Sequence, residues 1–369
     1  MIVGVDAREL QGRPTGTGRY LRNLMRHWSR SGQDRIVAYF KGPYVADPAL
    51  ERSTVTARAL GRGDERALLW LERLVPPAAR ADGIEVFFAP AYVCPLSLEV
   101  PRVTAVHDLS FFSVPEDFSF LDGLRRRVTV AASARASARV LAISDFTLRE
   151  IAHWLPEVAD RVAVVPLGPD DDLQAPPARG EARARMRLAG PLVLTVGSIF
   201  NRRRLPELLR AFARLRRRRP DAILDVVGDN RTQPPRDFHA TARALGLEAA
   251  VRLSGYVDEA GLADRYAAAD VAVFLSEYEG FGLPVLEALS RGVPVVTSRA
   301  PALGELFGEA AVVVDPRDVP GIERAVAAVL EDPALRAELV QRGRALAGRF
   351  SWAEAARRTR QVLEQAAGG

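Results

Sequence analysis

The 369-residue chain carries 48% hydrophobic and 26% charged residues with a formal net charge of +5, an ordinary globular composition with room for two domains. No apolar run approaches the roughly 18 residues that cross a bilayer, and the single cysteine, Cys94, excludes an internal disulfide framework and a multi-cysteine metal site. The chain opens on IVGVDA without a charged leader or an apolar signal core, which predicts a cytoplasmic protein.

From the first residues, short Val/Ile/Leu/Phe runs alternate with helical patterns: IVGVDA, TGRYLRNLMRHWSRSG, RIVAYF, then VFFAP, RVTAVHD, ARVLAIS and RVAVVPLG. Continuous apolar strands between helices predict a parallel, doubly wound sheet. After the first strand, GRPTGTGRY places Gly12, Gly16 and Gly18 ahead of a helix, either as a plain turn or as a loop whose N–H groups face an anion. It is not a full G-x-G-x-x-G fingerprint, which disfavours a nicotinamide cofactor. The run RVTAV ends on His107 and Asp108. A histidine there binds a substrate hydroxyl, moves a proton, or is satisfied by backbone.

Arginine runs at 125–127, 202–204 and 216–219 predict local positive patches, and Lys41 is the single lysine, so arginine is the default cation of this chain. Without interleaved aromatics or a nucleic-acid motif, no nucleic-acid partner is expected. The first run lies near Phe111, Phe112, Phe118 and Phe120, a combination suited to an anionic membrane surface and a polyprenyl-linked glycan.

The stretch PLGPDDDLQAPPARGEARA, residues 166–184, reads as a linker, with the aspartates Asp170 to Asp172 solvated. The α/β pattern then restarts with PLVLTVGS and continues through AILDVVGD, AVRLSGYV, VAVFLSE, VPVVTS and AAVVVD before the final helices. Ligands of open α/β sheets bind beyond the carboxyl ends of the strands, so two such domains facing one another would enclose a cleft.

The segment TVGSIFNRRRLPELLRAF sets Gly197 at a strand end and Arg202, Arg203 and Arg204 ahead of a helix. Three cations oppose the helix dipole unless an anion sits there; a basic surface loop is the alternative. In SEYEGFGLPVLEALSRGVPVVTS, residues 276–298, Glu279 and Glu287 bracket a glycine turn leading into a helix that starts at Pro284. Glu287 either caps first-turn N–H groups or accepts two hydrogen bonds from a vicinal diol such as a ribose. Glu279 is a solvated loop acid or lies beside a sugar and phosphates.

The E-x7-E arrangement EGFGLPVLE, together with GSIFNRRRLPELLRAF, LSGYV and the early GTGRY, resembles the family 4 retaining GT-B glycosyltransferases, which include bacterial mannosyltransferases and sucrose-phosphate-synthase-like enzymes. The resemblance covers nearly the whole chain and implies two Rossmann-like domains. Residues 1–168 would bind the acceptor, residues 169–350 a nucleotide-diphosphate sugar, and a C-terminal helix at 351–369 would cross back onto the first domain, leaving a hinge near the linker and closure on donor binding.

By similarity Glu287 binds the ribose hydroxyls, while Glu279, Gly280, Phe281, Gly282 and Leu283 contact donor sugar and diphosphate. Arg202 and Arg203 stand where the family has an Arg-Lys pair facing the leaving diphosphate, and Ser198, after Gly197, where several relatives carry arginine. The backbone at Tyr256 and Val257 would cradle the base, His107 lie near the transferred sugar, and Gly16 and Gly18 close over the diphosphate. Asp108 and Ser144 would lie on the acceptor side.

The implied reaction is metal-independent transfer with retention, needing no cofactor, to a glycan or lipid-linked glycan in polysaccharide biosynthesis. The stretch VHDLSFF tilts the donor towards GDP-mannose, and the implied location is the cytoplasm, peripherally on the inner membrane face. A GT-B nucleotide-sugar epimerase or a non-catalytic nucleotide-sugar-binding partner protein would share the architecture. A phosphorylase would need a pyridoxal lysine, and Lys41 lies in the wrong domain.

Overall fold

The computed structural model describes residues 1–12, 16–44, 53–170 and 177–368, and the chain divides into two compact units. The first comprises Met1–Ser113, Phe120–Gly168 and Ser351–Gly369, the second Val114–Ser119 and Pro169–Phe350. The boundary therefore differs from a single cut at 168: six residues ahead of it, 114–119, belong with the second unit.

In the first unit, strands β1 (Ile2–Asp6), β2 (Arg35–Phe40), β3 (Val55–Ala59), β4 (Val86–Ala89), β5 (Arg102–Val106), β6 (Arg139–Ala142) and β7 (Val162–Val164) form a sheet in the order β3-β2-β1-β4-β5-β6-β7. In the second, β8 (Leu192–Val196), β9 (Ile223–Val227), β10 (Val251–Gly255), β11 (Val271–Phe274), β12 (Val295–Ser298) and β13 (Val312–Val314) take the order β10-β9-β8-β11-β12-β13. Among the described residues every strand pairing is parallel. Both sheets reverse direction beside their first strand, at β1/β4 and at β8/β11, which is where doubly wound sheets open a crevice for ligands.

The strands form because their side chains are apolar on both faces. VFFA of β4 and VAVF of β11 are buried throughout, as a sheet covered by helices on both sides requires. The helices carry an apolar stripe. Helix Gly16–Arg30 buries Tyr20, Leu21, Leu24, Met25 and Trp28, and helix Leu205–Leu215 buries Leu205, Leu208, Leu209, Phe212 and Leu215, at three- and four-residue spacing.

Helix Trp352–Ala367 packs on helix Gly16–Arg30 inside the first unit, with the Trp352 and Tyr20 rings 5.9 Å apart. A buried carboxylate fixes it there. Asp34 accepts from Trp28 Nε1 at 2.9 Å, from the N-terminal amine at 3.2 Å and from Arg360 Nε at 2.8 Å. Burial acts to raise the Asp34 pKa, but these donors outweigh it and hold the group below the ordinary carboxylate range. Two segment ends of the first unit also run close together: a Cβ on Gly168 would collide with the backbone at Ser351 and Trp352.

The stretch 166–184 is not linker throughout. Residues Arg179–Arg185 form a helix tied back by Arg179 Nη2 to Asp270 at 2.7 Å and Arg185 Nε to Asp264 at 2.9 Å. Of the aspartate run, Asp171 and Asp172 lie outside the described residues, as do Arg13, Pro14 and Thr15 of the early glycine loop.

Candidate functional site

In the second unit the chain leaves β8 through Gly197, whose φ of +125° belongs to the region glycine favours. Gly228, after β9, has φ +138°, and a Cβ there would run into the Gly197 carbonyl. The strand ends thus approach more closely than side chains permit, and the loop Ser198–Arg204 swings across them. A small cavity lined by Gly197, Ser198, Arg203, Leu208 and Phe274 lies at this point, beside the β8/β11 reversal.

The expected pair of phosphate-facing arginines is split. Arg203 reaches Glu279 with two nitrogens, Nε to Oε1 at 2.6 Å and Nη2 to Oε2 at 3.2 Å, and its guanidinium stacks 4.1 Å from the Phe274 ring centroid. Glu279 Oε1 also accepts from Ser276 Oγ at 2.8 Å. Arg202 turns the other way: it is buried, Nη1 meets Asp117 Oδ2 at 2.9 Å and Nε donates to the Tyr278 carbonyl at 3.2 Å. It clasps segment 114–119 to the loop. Arg204, at φ +46°, pairs with Glu277, which also takes Arg317 at 2.5 Å.

Gly282, at φ +101°, caps helix Leu283–Ser290 without a side-chain hydrogen bond. A Cβ at Gly282 would strike Leu303, so only glycine lets this turn approach the neighbouring helix. Gly280 and Phe281 are buried and Leu283 half-buried around the turn. Glu287 is fully buried one turn on, and its Oε2 accepts from Tyr266 OH at 2.9 Å. Tyr256 is exposed and Val257 half-buried at the end of β10, on the sheet edge, two strands away from β8.

In the first unit, His107 follows β5 and its Nε2 lies 2.7 Å from the Pro90 carbonyl, beyond the end of β4. A carbonyl oxygen only accepts, so Nε2 carries the proton and Nδ1 is the ring's acceptor. Burial pushes the His107 pKa below its ordinary value despite the Pro90 bond and nearby Asp108, so the ring stays neutral near pH 7. Tyr20 and Tyr92 hold it edge-on, with ring centroids at 4.8 and 5.4 Å. Tyr92 itself sits at φ +67°, a costly backbone for an aromatic residue.

Gly16 and Gly18 open helix Gly16–Arg30 after β1. Asp108 Oδ1 accepts from the N–H and hydroxyl of Ser110 at 2.9 and 2.7 Å, and Ser144 caps helix Asp145–Trp154 by accepting from Thr147 N at 3.1 Å. Sequence reading missed Asp117, Ser276, Tyr266 and Tyr92. Asp117 stands 85 residues from Arg202, and no periodicity or spacing links the two.

Two family models match the chain. The model for "Glycosyl transferases group 1" matches residues 182–346 and that for "Glycosyltransferase Family 4" residues 14–173. The O-antigen chain mannosyltransferase B of Escherichia coli is 31% identical over 360 residues, 92% of this chain and 93% of its own. The chain belongs to glycosyltransferase family 4.

This family 4 protein is an enzyme that transfers sugars. It is also 33% identical over 237 residues, 63% of this chain and 55% of the relative, to the MMP alpha-(1->4)-mannosyltransferase of Mycolicibacterium hassiacum. Its GT-B fold matches the sucrose-phosphate synthase of Thermosynechococcus elongatus with a TM-score of 0.80 at 21% identity, covering 99% and 98% of the two chains. Anabaena Alr3699/HepE, solved with UDP-glucose, matches with a TM-score of 0.78 at 22% identity over 99% of each chain.

Proposed function

We propose that this enzyme moves mannose from GDP-mannose to a hydroxyl of a glycan or lipid-linked glycan, with retention and without a metal ion. The observation that carries the donor reading is the Arg203–Glu279 pair beside the Gly282-capped helix at the β8/β11 reversal. A cation and the N-terminus of a helix at one strand end form an anion site, and the carboxylate keeps the cation in place until the diphosphate arrives.

Transfer then needs little covalent work from the protein. The bond from the anomeric carbon to the β-phosphate oxygen breaks with its electron pair on the diphosphate. The acceptor oxygen attacks the same face, and its proton passes to the departing phosphate oxygen. Arg203 and the first N–H groups of helix Leu283–Ser290 stabilise the charge that builds on the leaving group. Glu279, held by Arg203 and Ser276, sits on the donor sugar. Glu287, buried against Tyr266, takes the ribose hydroxyls once that contact opens. Gly197, Ser198, Tyr256 and Val257 border the nucleotide, and His107 takes a sugar hydroxyl at Nδ1, beside Gly16 and Gly18.

Mannose is favoured because two relatives are named mannosyltransferases, one matching along nearly its whole length; Anabaena Alr3699/HepE was solved with UDP-glucose, which makes uridine the competing base. A lipid-linked acceptor is supported by helix Phe120–Ala136, where Phe120 and Leu121 are 80% and 76% exposed and Leu124 and Val128 lie on the same side beside Arg125 and Arg126. An apolar ridge flanked by arginines suits an anionic bilayer surface; Phe111, 3% exposed, takes no part in it. Among the described residues no helix is long and apolar enough to cross a membrane.

Thermal shifts with GDP, UDP, ADP and their sugar conjugates, with and without EDTA, test the reading. At about a hundred times the dissociation constant a ligand adds roughly 2.7 kcal/mol. GDP-mannose raising the melting temperature in EDTA is the expected result. A panel in which no nucleotide shifts it overturns the donor site.

A further inference from the structure

The first unit contains a file of rings. His107 meets Tyr92 at 5.4 Å, Tyr92 meets Phe111 at 6.1 Å, Phe111 meets Phe112 at 5.2 Å, and Phe112 lies nearly parallel to Trp154, 24° between planes at 5.2 Å. The file starts at the carboxyl end of β5 and finishes at the surface. Trp154 is 37% exposed, whereas Trp28, Trp70 and Trp352 are buried at 2%, 0% and 0%.

A solitary exposed apolar side chain is ordinary, but two features set this one apart. Its indole is fixed: Nε1 donates to Ser113 Oγ at 3.0 Å, and that hydroxyl donates to the Glu150 carboxylate. Ordering a sugar against it therefore costs little side-chain entropy. It is also continuous, through packed rings, with His107, the histidine proposed above to take a sugar hydroxyl. A flat, rigid, partly wet ring presents the surface that the C–H face of a pyranose covers, leaving the sugar hydroxyls in water.

We propose that Trp154, backed by Phe112, is an acceptor subsite that stacks a sugar ring of the glycan being extended. The subsite rests on the reading that the acceptor is a glycan, and it makes Trp154 a specificity determinant for chain acceptors over monosaccharides.

Tryptophan emission tests it directly, because the other three indoles are shielded. Mannotriose, maltotriose and cellotriose are titrated into the full-length enzyme, followed by saturation-transfer NMR on Trp154→Ala and Trp154→Phe. At least one trisaccharide is expected to shift the emission saturably. Trp154→Ala should then weaken its binding about tenfold, the 1.4 kcal/mol scale of a lost ring contact, and Trp154→Phe should restore most of it. An unchanged nucleotide-induced thermal shift in Trp154→Ala shows that the variant is folded and the donor site intact. If no trisaccharide perturbs the emission, or Trp154→Ala binds as the parent does, the subsite is wrong while the donor reading stands on its own assay.

Discussion

The loops beyond β8 and β11 and the loops beyond β5 and β6 both lie at carboxyl ends of strands in parallel sheets, yet they are built from different materials. In the second unit, charge meets charge: Arg203 with Glu279, Arg202 with Asp117, Arg204 with Glu277. In the first, polar groups are satisfied by neighbouring backbone. Asp108 takes the Ser110 N–H, Ser144 caps its own helix, His107 holds the Pro90 carbonyl, and aromatic rings fill the rest. Ion pairs poised at a strand end suit a ligand that carries charge of its own, whereas rings and a neutral histidine suit an uncharged, hydroxyl-rich one. The contrast supports the division into a donor unit and an acceptor unit.

The largest effect should come from breaking the buried clasp. Both side chains of the Arg202–Asp117 pair are under 10% exposed, at 7% and 3%, so Asp117→Ala leaves a buried guanidinium without its carboxylate. Chemical denaturation should register a loss of about 3–5 kcal/mol. Asp117→Leu with Arg202→Met should recover most of it, because removing both charges removes the desolvation cost as well. A similar loss in the double variant would mean that segment 114–119 is held by something other than the ion pair.

Next in size is Arg203→Ala, expected to lower kcat about 10²–10³-fold, the range for a preorganised donor aimed at developing charge. Stability should change less than with Asp117→Ala, because Ser276 still serves Glu279. Equal activity losses in Arg202→Met and Arg203→Ala would mean that both arginines serve the anion.

These two arginines also show where sequence stops. The glycine turns, the E-x7-E spacing and the arginine run were legible because each is local: a turn needs glycine within a few residues, and a helix start shows its proline. The alternation of buried strands and striped helices likewise disclosed both sheets. Which of two adjacent arginines meets Glu279 depended on Asp117 and on Tyr278, contacts set only by folding, with Asp117 on a segment far away in sequence that joins the second unit. Trp154 gave no signal, because one aromatic residue at a helix end is unremarkable until Phe112 and Ser113 are found beside it. Glu287 was read as a cap or a diol ligand, and its bond to Tyr266, 21 residues away, is likewise a product of tertiary packing.

A smaller, pH-dependent effect belongs to His107. Its pKa is lowered by burial, so the folded state binds its proton less readily than the unfolded chain, where the group titrates near 6.5. The stabilisation is complete above that value and is lost as pH falls below it. NMR of the ring should show it predominantly neutral at pH 6.5, and His107→Gln should flatten the decline in stability as pH falls below about 6.5. A ring that is half protonated at pH 6.5 or above would remove the neutral acceptor from the first unit and weaken its contrast with the second.

The smallest change sharpens the comparison most finely. Ser144 stands where the family resemblance suggests acceptor contact, and it also satisfies an otherwise open N–H at the start of helix Asp145–Trp154. As a cap alone, Ser144→Ala costs about 1 kcal/mol, and Ser144→Asp, another strong cap, restores it. Acceptor KM would stay constant in both variants. As an acceptor ligand too, Ser144→Ala would raise KM, and the new carboxylate in Ser144→Asp would not correct it, since it restores the cap while changing the charge presented to the glycan. Stability and KM moving together in Ser144→Ala but separately in Ser144→Asp would therefore show one hydroxyl serving both the fold and the substrate.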